Sequence, residues 1–472
     1  MKVSGIAIHR TSSVALNRQL TSALREAIRS GAMEPGERVF STRELRTHLG
    51  LSRNTIVDAF EQLQAEGYLV TVRGIGTFVA DFQRQRSAQR KPSAVPSVRT
   101  SRSAERSLKA CGLARNLHET KPFRPGVPAL DLFPAAQFKR CFKSEDWNAD
   151  FWDYPDPQGY EPLRREIARR LRQTRGVECS ADQVFVTSGA QGAFWLLAQT
   201  LLNAGETVIV EDPGYPSVRA TFAAHRAKIV SAPVDEAGID VSAFGRRAAK
   251  LAYVTPSHQY PTGAVLSLER RFALLEWSQR YGSWILEDDY DSEFNYTGRP
   301  QQALYGLSQT ARVIYAGTFS KVLAPSLRVS YIVVPHSLRE SLRAVQLVSG
   351  SYPGTPVQAA LARFMQAGLF GRHVTKMRKI YDERRRIAAS EFCRHGTFTI
   401  HDSRAGLHFI AELPRGVSDA HVSRCAAEAG LIVPALSSYY YGGARRNGLV
   451  IGYAATAPVR ARRAIAVLRG LV

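Results

Sequence analysis

At 472 residues the chain is too long for one compact domain and has room for about three domain-sized units. Its 44% hydrophobic and 22% charged residues exclude a wholly disordered chain, and no run of about 18 apolar residues suggests a membrane span. The net charge of +22 points to a polyanionic partner, nucleic acid first, with a generally basic protein as the alternative.

Five widely spread cysteines form no C-x-x-C pair, which argues against a zinc site or a disulfide framework and fits a reducing cytoplasm. No apolar signal segment is recognisable, so a soluble, cytoplasmic protein without membrane contact is expected.

Residues 1–81 read as one small domain. Leu16, Leu20, Leu24 and Ile28 recur at helical spacing and Gly31 is a stop. Ser41 and Glu44 match a capping box for a short helix ending at Gly50. Ser52 caps the next helix, which presents Ile56, Ala59, Phe60 and Leu63 on one face. Two β-rich runs follow, Tyr68–Val72 and Thr77–Ala80, joined by Arg73-Gly74-Ile75-Gly76. This order predicts a winged helix-turn-helix whose second motif helix enters the major groove N-terminus first. That end carries Ser52, Arg53, Asn54 and Thr55, and the wing adds Arg73 beside glycines that allow close approach to a groove.

The stretch Phe40 to Val79 resembles the DNA-binding domain of the GntR family of bacterial transcription regulators. The resemblance implies DNA contacts from Arg43, Arg53, Thr55 and the wing glycine Gly76.

Residues 82–120 show no helical or strand period and read as a basic, flexible linker. Between 83 and 115 nine bases accompany one acid, Glu105, so the segment is expected to stay extended and to touch phosphates or act as a plain tether.

Residues 121–472 alternate β-like runs with amphipathic helices, the pattern of an α/β domain with a mainly parallel sheet and a smaller C-terminal α+β subdomain. Five features fall at strand ends. Ser188-Gly189-Ala190-Gln191 opens a helix and forms a phosphate cradle. Tyr215 follows a Pro-Gly turn, where it could stack on a planar ring. Ser257-His258-Gln259-Tyr260 sets polar groups beside a rigid turn. Glu287, Asp288, Asp289 and Asp291 close an apolar run, suited to a protonated nitrogen, with an oxygen-ligated metal as the competing reading; no histidine or cysteine joins them in the sequence. Lys321 stands between Thr318, Ser320 and Arg328, as an imine-forming lysine beside phosphate ligands would. The five together supply what pyridoxal phosphate requires of a protein.

This region resembles the fold-type I aminotransferases, and the whole chain resembles the MocR subfamily of GntR regulators. The resemblance implies that Lys321 forms a Schiff base with pyridoxal 5'-phosphate and that Asp288 pairs with the pyridine nitrogen. It further implies that Tyr290 bonds the ring hydroxyl and Tyr215 stacks on the ring. Ser188, Gly189, Ala190, Gln191, Thr318, Ser320 and Arg328 would hold the phosphate. Tyr260 replaces the usual asparagine of an Asn-Pro-Thr-Gly turn, so the amide role moves to Gln259 or His258. Arg445 or Arg446 precedes the last strand and would meet an effector carboxylate. No resident metal is expected.

Two functions are left open. In one, a homodimeric regulator binds a double-stranded DNA operator and senses an amine, an amino acid or the cofactor at Lys321. In the other, the chain is an active aminotransferase with an accessory DNA-binding domain.

Overall fold

A computed structural model describes residues 8–81, 100–110, 121–142, 147–245, 248–296, 301–307, 312–394, 396–442 and 445–472. The chain forms two compact units, Met1–Arg99 and Thr100–Val472.

The first unit contains helices α1 (Leu16–Ser30), α2 (Thr42–Leu49) and α3 (Arg53–Ala65), then strands β1 (Leu69–Val72) and β2 (Gly76–Val79). The sequence signals act as expected. Ser41 Oγ accepts from the Glu44 N–H at 3.2 Å while the Glu44 carboxylate accepts from the Ser41 N–H at 2.6 Å, closing the capping box. Gly50 ends α2 at φ 62°, a left-handed cap. Leu20, Leu24 and Ile28 of α1 pack with Ile56, Ala59, Phe60 and Leu63 of α3 in one small core. The wing hairpin pairs Leu69 with Val79 and Val72 with Gly76. The residues after the Pro35-Gly36 turn also join it: the Val39 N–H donates to Thr77 O at 2.8 Å and the Val79 N–H to Glu37 O at 2.9 Å. Those few residues carry too short a pattern to be read as a strand.

The second unit is built on an eight-stranded sheet. Its strands are β3 (Val184–Thr187), β4 (Thr207–Asp212), β5 (Lys228–Asp235), β6 (Gly238–Ile239), β7 (Leu251–Val254), β8 (Trp284–Asp289), β9 (Val313–Thr318) and β10 (Ser330–Val333). Their spatial order is β3-β10-β9-β8-β7-β4-β5-β6. β9, β8, β7, β4 and β5 run parallel, whereas β10 is antiparallel to both neighbours and β6 to β5. A three-stranded antiparallel sheet, β11 (Thr399–His401), β12 (His408–Glu412) and β13 (Gly448–Gly452), forms the smaller subdomain.

Burial on both faces explains why the central strands are continuously apolar. In β7 and β8, Leu251, Tyr253, Trp284 and Leu286 face one core with Phe194 and Leu197, while Ala252, Val254 and Ile285 face another with Leu274 and Trp277. This two-residue alternation decides where the acids at the end of β8 point.

One expectation needs correction. Arg102–Ala110, inside the segment expected to lack any period, is a helix. It packs on the helix Pro216–Ala224, with Ser103 Oγ and an Arg106 N–H donating to Ala224 O at 3.5 and 3.4 Å. Ser101 Oγ caps it, accepting from the Ala104 N–H. Its few apolar residues hid the helical face, and packing supplies what propensity does not. The rest of the expected linker, 82–99 and 111–120, lies outside the described residues.

Candidate cofactor site and DNA-contacting surface

On the first unit, Arg43 stands exposed in the first turn of α2, and Arg53 and Asn54 are exposed in the first turn of α3. Ser52 and Thr55 are partly committed locally: Ser52 Oγ accepts from the Thr55 N–H at 3.2 Å and lies 2.8 Å from Thr55 Oγ1. Arg73 is exposed at the wing tip. Gly76 takes φ 146°, and a Cβ there would come within 2.9 Å of Arg38 Nε. Arg38 is thus a basic residue against the wing that sequence reasoning missed. Exposed cations at two helix starts and a wing tip make a surface suited to phosphates and base edges.

In the second unit the carboxyl ends of the parallel strands gather the other predicted residues, as is general for open α/β sheets. Lys321 follows β9 and its ammonium donates to Gly126 O at 2.8 Å. Gly126 adopts φ 70°, and a Cβ there would stand 2.9 Å from Lys321 Nζ, so glycine suits both conformation and approach. Burial lowers the pKa of Lys321, and Asp291 and Asp288 oppose that shift. The unprotonated amine that attacks a carbonyl is thereby more accessible.

The Ser188–Gln191 turn and Arg328 form one cradle. Ser188 is the N-cap of the helix Gly189–Leu201 and makes no side-chain capping bond. An Arg328 N–H donates to Ser188 O at 2.9 Å, and the guanidinium lies so close to Gly189 that a Cβ would meet its Cζ at 2.8 Å. Helix N–H groups and a guanidinium meeting at one point suit a phosphate. Thr318 Oγ1 accepts from the Ser320 N–H at 3.1 Å and from Ser330 Oγ at 2.7 Å, which tightens this loop. Gln191 Nε2 donates to Tyr215 Oη at 3.4 Å and Gln191 Oε1 accepts from Thr221 Oγ1, so the cradle helix also braces Tyr215.

The four acids do not converge on one point. Glu287 and Asp289 share one face of β8 and Asp288 takes the other. The Glu287 carboxylate accepts from the backbone N–H groups of Leu304 and Tyr305 at 3.0 and 3.1 Å. Asp289 accepts from Arg175 Nε at 2.7 Å and from the Tyr315 hydroxyl. Asp288, on the Lys321 side, accepts from Tyr253 Oη at 2.6 Å. Burial pushes its pKa up to about 7, with the Tyr253 bond opposing and Asp289 adding to the shift. A buried carboxylate held by a hydroxyl gains most from a cationic N–H partner, which a protonated pyridine supplies.

The structure also departs from the sequence reading. Asp291 is joined by two histidines, His258 and His408, distant in sequence; their ligating atoms all lie within 4.8 Å of one another and all three residues are buried. His258 lies 3.1 Å from Tyr290 Oη and 3.0 Å from Asp291 Oδ2, both through Nδ1. Gln259 is engaged elsewhere. Its Nε2 donates to Glu211, Pro213 O and Tyr260 O, and its Oε1 accepts from Thr262. With its amide filled by that turn, His258 is the member of the pair that reaches Tyr290. The Tyr260 ring packs edge-on against Tyr215 and Tyr290, at centroid distances of 5.7 and 6.0 Å.

Among the described residues, neither candidate for the effector carboxylate shows a contact with Lys321. Arg446 is paired with Glu412 at 2.8 Å and Arg445 is exposed. Glu412 pairs with Gly448 at the end of β12 opposite His408, about 13 Å along the strand. Arg124, which lowers the proton affinity of Lys321, is a closer cation that sequence reasoning missed. Its position next to the Pro125-Gly126 turn was the available signal.

Residues 16–79 match the model of bacterial regulatory proteins of the gntR family, and residues 137–468 match that of aminotransferase class I and II. The chain is 35% identical over 476 residues to a probable rhizopine catabolism regulatory protein, MocR, of Rhizobium meliloti, spanning 98% of this chain and 95% of that protein. This chain belongs to the MocR-type regulators of the gntR family. Another MocR-type relative is the pyridoxine biosynthesis transcriptional regulator PdxR of Corynebacterium glutamicum, 33% identical over 95% of this chain and 94% of that protein. A third, the transcriptional regulator TauR of Rhodobacter capsulatus, is 31% identical over 96% and 95%. Among solved structures, the α-aminoadipate aminotransferase LysN of Thermus thermophilus, complexed with a phosphopyridoxyl-leucine, superposes with TM-score 0.71 at 26% identity, covering 79% of this chain and 97% of that one. The cofactor of this MocR-type chain is therefore pyridoxal phosphate, and the cradle, lysine and aspartate described above fit it.

Proposed function

We propose that the protein regulates transcription by binding an operator through its first unit and sensing an amine, an amino acid or pyridoxal phosphate itself at Lys321. The observation that carries this is the presence, in one chain, of exposed cations at the starts of α2 and α3 and of Lys321, a buried Asp288 and Arg328 at the carboxyl ends of the parallel strands. The names of the relatives, which match over nearly the whole length, support it.

Pyridoxal phosphate supplies an aldehyde that captures amines and a ring that withdraws electrons. The chain's residues have separable tasks. Arg328 and the N-terminus of the helix Gly189–Leu201 would neutralise the phosphate, and Asp288 would hold the proton of the ring nitrogen. Tyr215 would pack against the ring, Tyr290 would face its hydroxyl, and Lys321 would be the amine that holds the aldehyde. A homodimer would present two heads to two operator half-sites, and DNA as partner implies the cytoplasm.

An active aminotransferase is the second reading, favoured by the completeness of the lysine, aspartate and arginine set. The test combines absorbance with operator binding. The purified protein should carry a visible band that Lys321→Ala removes. An amine panel should contain a compound that shifts both the band and operator affinity. Sustained keto-acid production with unchanged operator binding would overturn the regulator reading.

A further inference from the structure

His258 and Asp291 are each 2% exposed, and His258, one of the two candidates for the displaced amide role, reaches Tyr290 through the same nitrogen that meets Asp291. His258 Nδ1 lies 3.0 Å from Asp291 Oδ2 and 3.1 Å from Tyr290 Oη, and its Nε2 lies 2.9 Å from Ser403 Oγ. The proton count follows from the partners. With the Asp291 oxygen as acceptor, Nδ1 carries the proton and donates to it. The Ser403 hydroxyl, which can donate or accept, closes the Nε2 side of the ring. The same Nδ1–H faces the Tyr290 oxygen, so that oxygen is met by a donor and its own proton must point away from His258.

The surrounding groups leave this arrangement undisturbed. Asp291 and Tyr290 come from the end of β8, and Ser403 and the Gly406 backbone from the loop before β12. The fifth neighbour is His408 of β12, 5.0 Å ring to ring. His408 has its pKa pushed down to about 3, chiefly by burial, and its Nε2 donates to Pro261 O at 3.1 Å, so it is neutral. Lys321 is near enough to lower His408 further. Gly406 makes the packing possible: at φ 72°, a Cβ there would lie 2.2 Å from His258 Cε1 and 2.4 Å from Asp291 Oδ2. A metal held by His258, Asp291 and His408 would need the Nδ1 lone pair that Asp291 fixes as an N–H.

We infer that His258 is a positioning residue, which, held by Asp291 and Ser403, donates to the Tyr290 oxygen and aims the Tyr290 hydroxyl proton at the ring oxygen of the cofactor. This rests on the cofactor reading above. A donor to the ring oxygen would stabilise its anionic form and so lower the pH at which the visible band of the loaded protein titrates.

The experiment is a pH titration of the visible band of the full-length, cofactor-loaded protein. Tyr290→Phe should raise the midpoint and set the largest shift. His258→Phe should raise it by about one pH unit, a tenfold change in proton affinity; His258→Gln, which retains a donor, should recover part of it. A cavity of about 150 Å³ borders His258 and Ser403 and gives the phenyl ring room. Should His258→Phe fail to fold, Ser403→Ala, which removes only the anchor, must still raise the midpoint by a smaller amount. An unmoved midpoint in the His258 and Ser403 variants would overturn the inference, as would stoichiometric zinc in the purified protein. A wild-type protein with no visible band would instead overturn the cofactor reading.

Discussion

Replacing Gly189 by alanine separates backbone strain from cofactor binding. Gly189 sits at φ 79°, where an L residue is strained by about 1–2 kcal/mol, and this cost falls equally on the cofactor-free and loaded proteins. The added Cβ would also lie 2.8–3.0 Å from three atoms of the Arg328 guanidinium, which must move out of the cradle. Moving it removes a charge-assisted hydrogen bond to the phosphate, worth about 1.5–3 kcal/mol, in the loaded state alone. Affinity should therefore fall about tenfold to a hundredfold, while thermal stability of the cofactor-free protein drops by a few degrees. Pyridoxal phosphate is titrated into stripped protein by absorbance, and melting is recorded in parallel, with Arg328→Lys as a second variant. Reduced stability with unchanged affinity would refute the argument, because strain would be present without any role for Arg328 in the cradle.

Acid should distinguish His408. Its folded-state pKa lies below the unfolded value, so its contribution to stability is intact above about pH 6.5 and is lost as pH falls toward about 3. Relative to wild type, His408→Asn should gain about 1.4 kcal/mol per pH unit below pH 6.5 in urea unfolding. A difference independent of pH would mean that the imidazole is not held neutral. Arg446→Ala breaks a half-exposed pair with Glu412, so it should cost at most about 1 kcal/mol and leave the spectral response to amines intact. A lost response would place Arg446 in the effector site after all. Arg53→Ala should weaken operator binding by about 1–3 kcal/mol if it reads a base, or reduce the salt slope by about one if it holds a phosphate, with an unaltered visible band. Gel-shift titrations at several salt concentrations separate the two.

The residues that were legible in the sequence are those whose signals are local. The Ser41 capping box, the Gly50 stop and the α3 face are set by neighbours within a few residues, and each stands where the spacing placed it. Lys321, Asp288 and the Ser188–Gln191 turn were found because each closes an apolar run at the same end of the sheet. The features that escaped notice depend on distant pairing. His258 reaches Asp291 once β7 pairs with β8, and His408 once β12 is folded against the sheet, so the acid run looked free of histidine. The alternation of β8 sends Asp289 to a partner 114 residues away and Glu287 to one 17 residues away, and turns Asp288 to the other face with Tyr253. The Arg102–Ala110 helix is set by its docking on Pro216–Ala224, which no period in a basic, serine-rich stretch reveals.

The helix Pro216–Ala224 on which it docks begins directly after Tyr215, so the segment nearest in sequence to the DNA-binding unit rests on an element that starts at the cofactor site. Whether the site and the DNA head communicate is measured by operator affinity. The wild-type protein and Lys321→Ala are compared with and without an amine that shifts the visible band. We expect the amine to change wild-type affinity at least fivefold, a coupling of about 1 kcal/mol, and to leave Lys321→Ala unmoved. Equal affinity in all four conditions would show that the lysine site does not report to DNA.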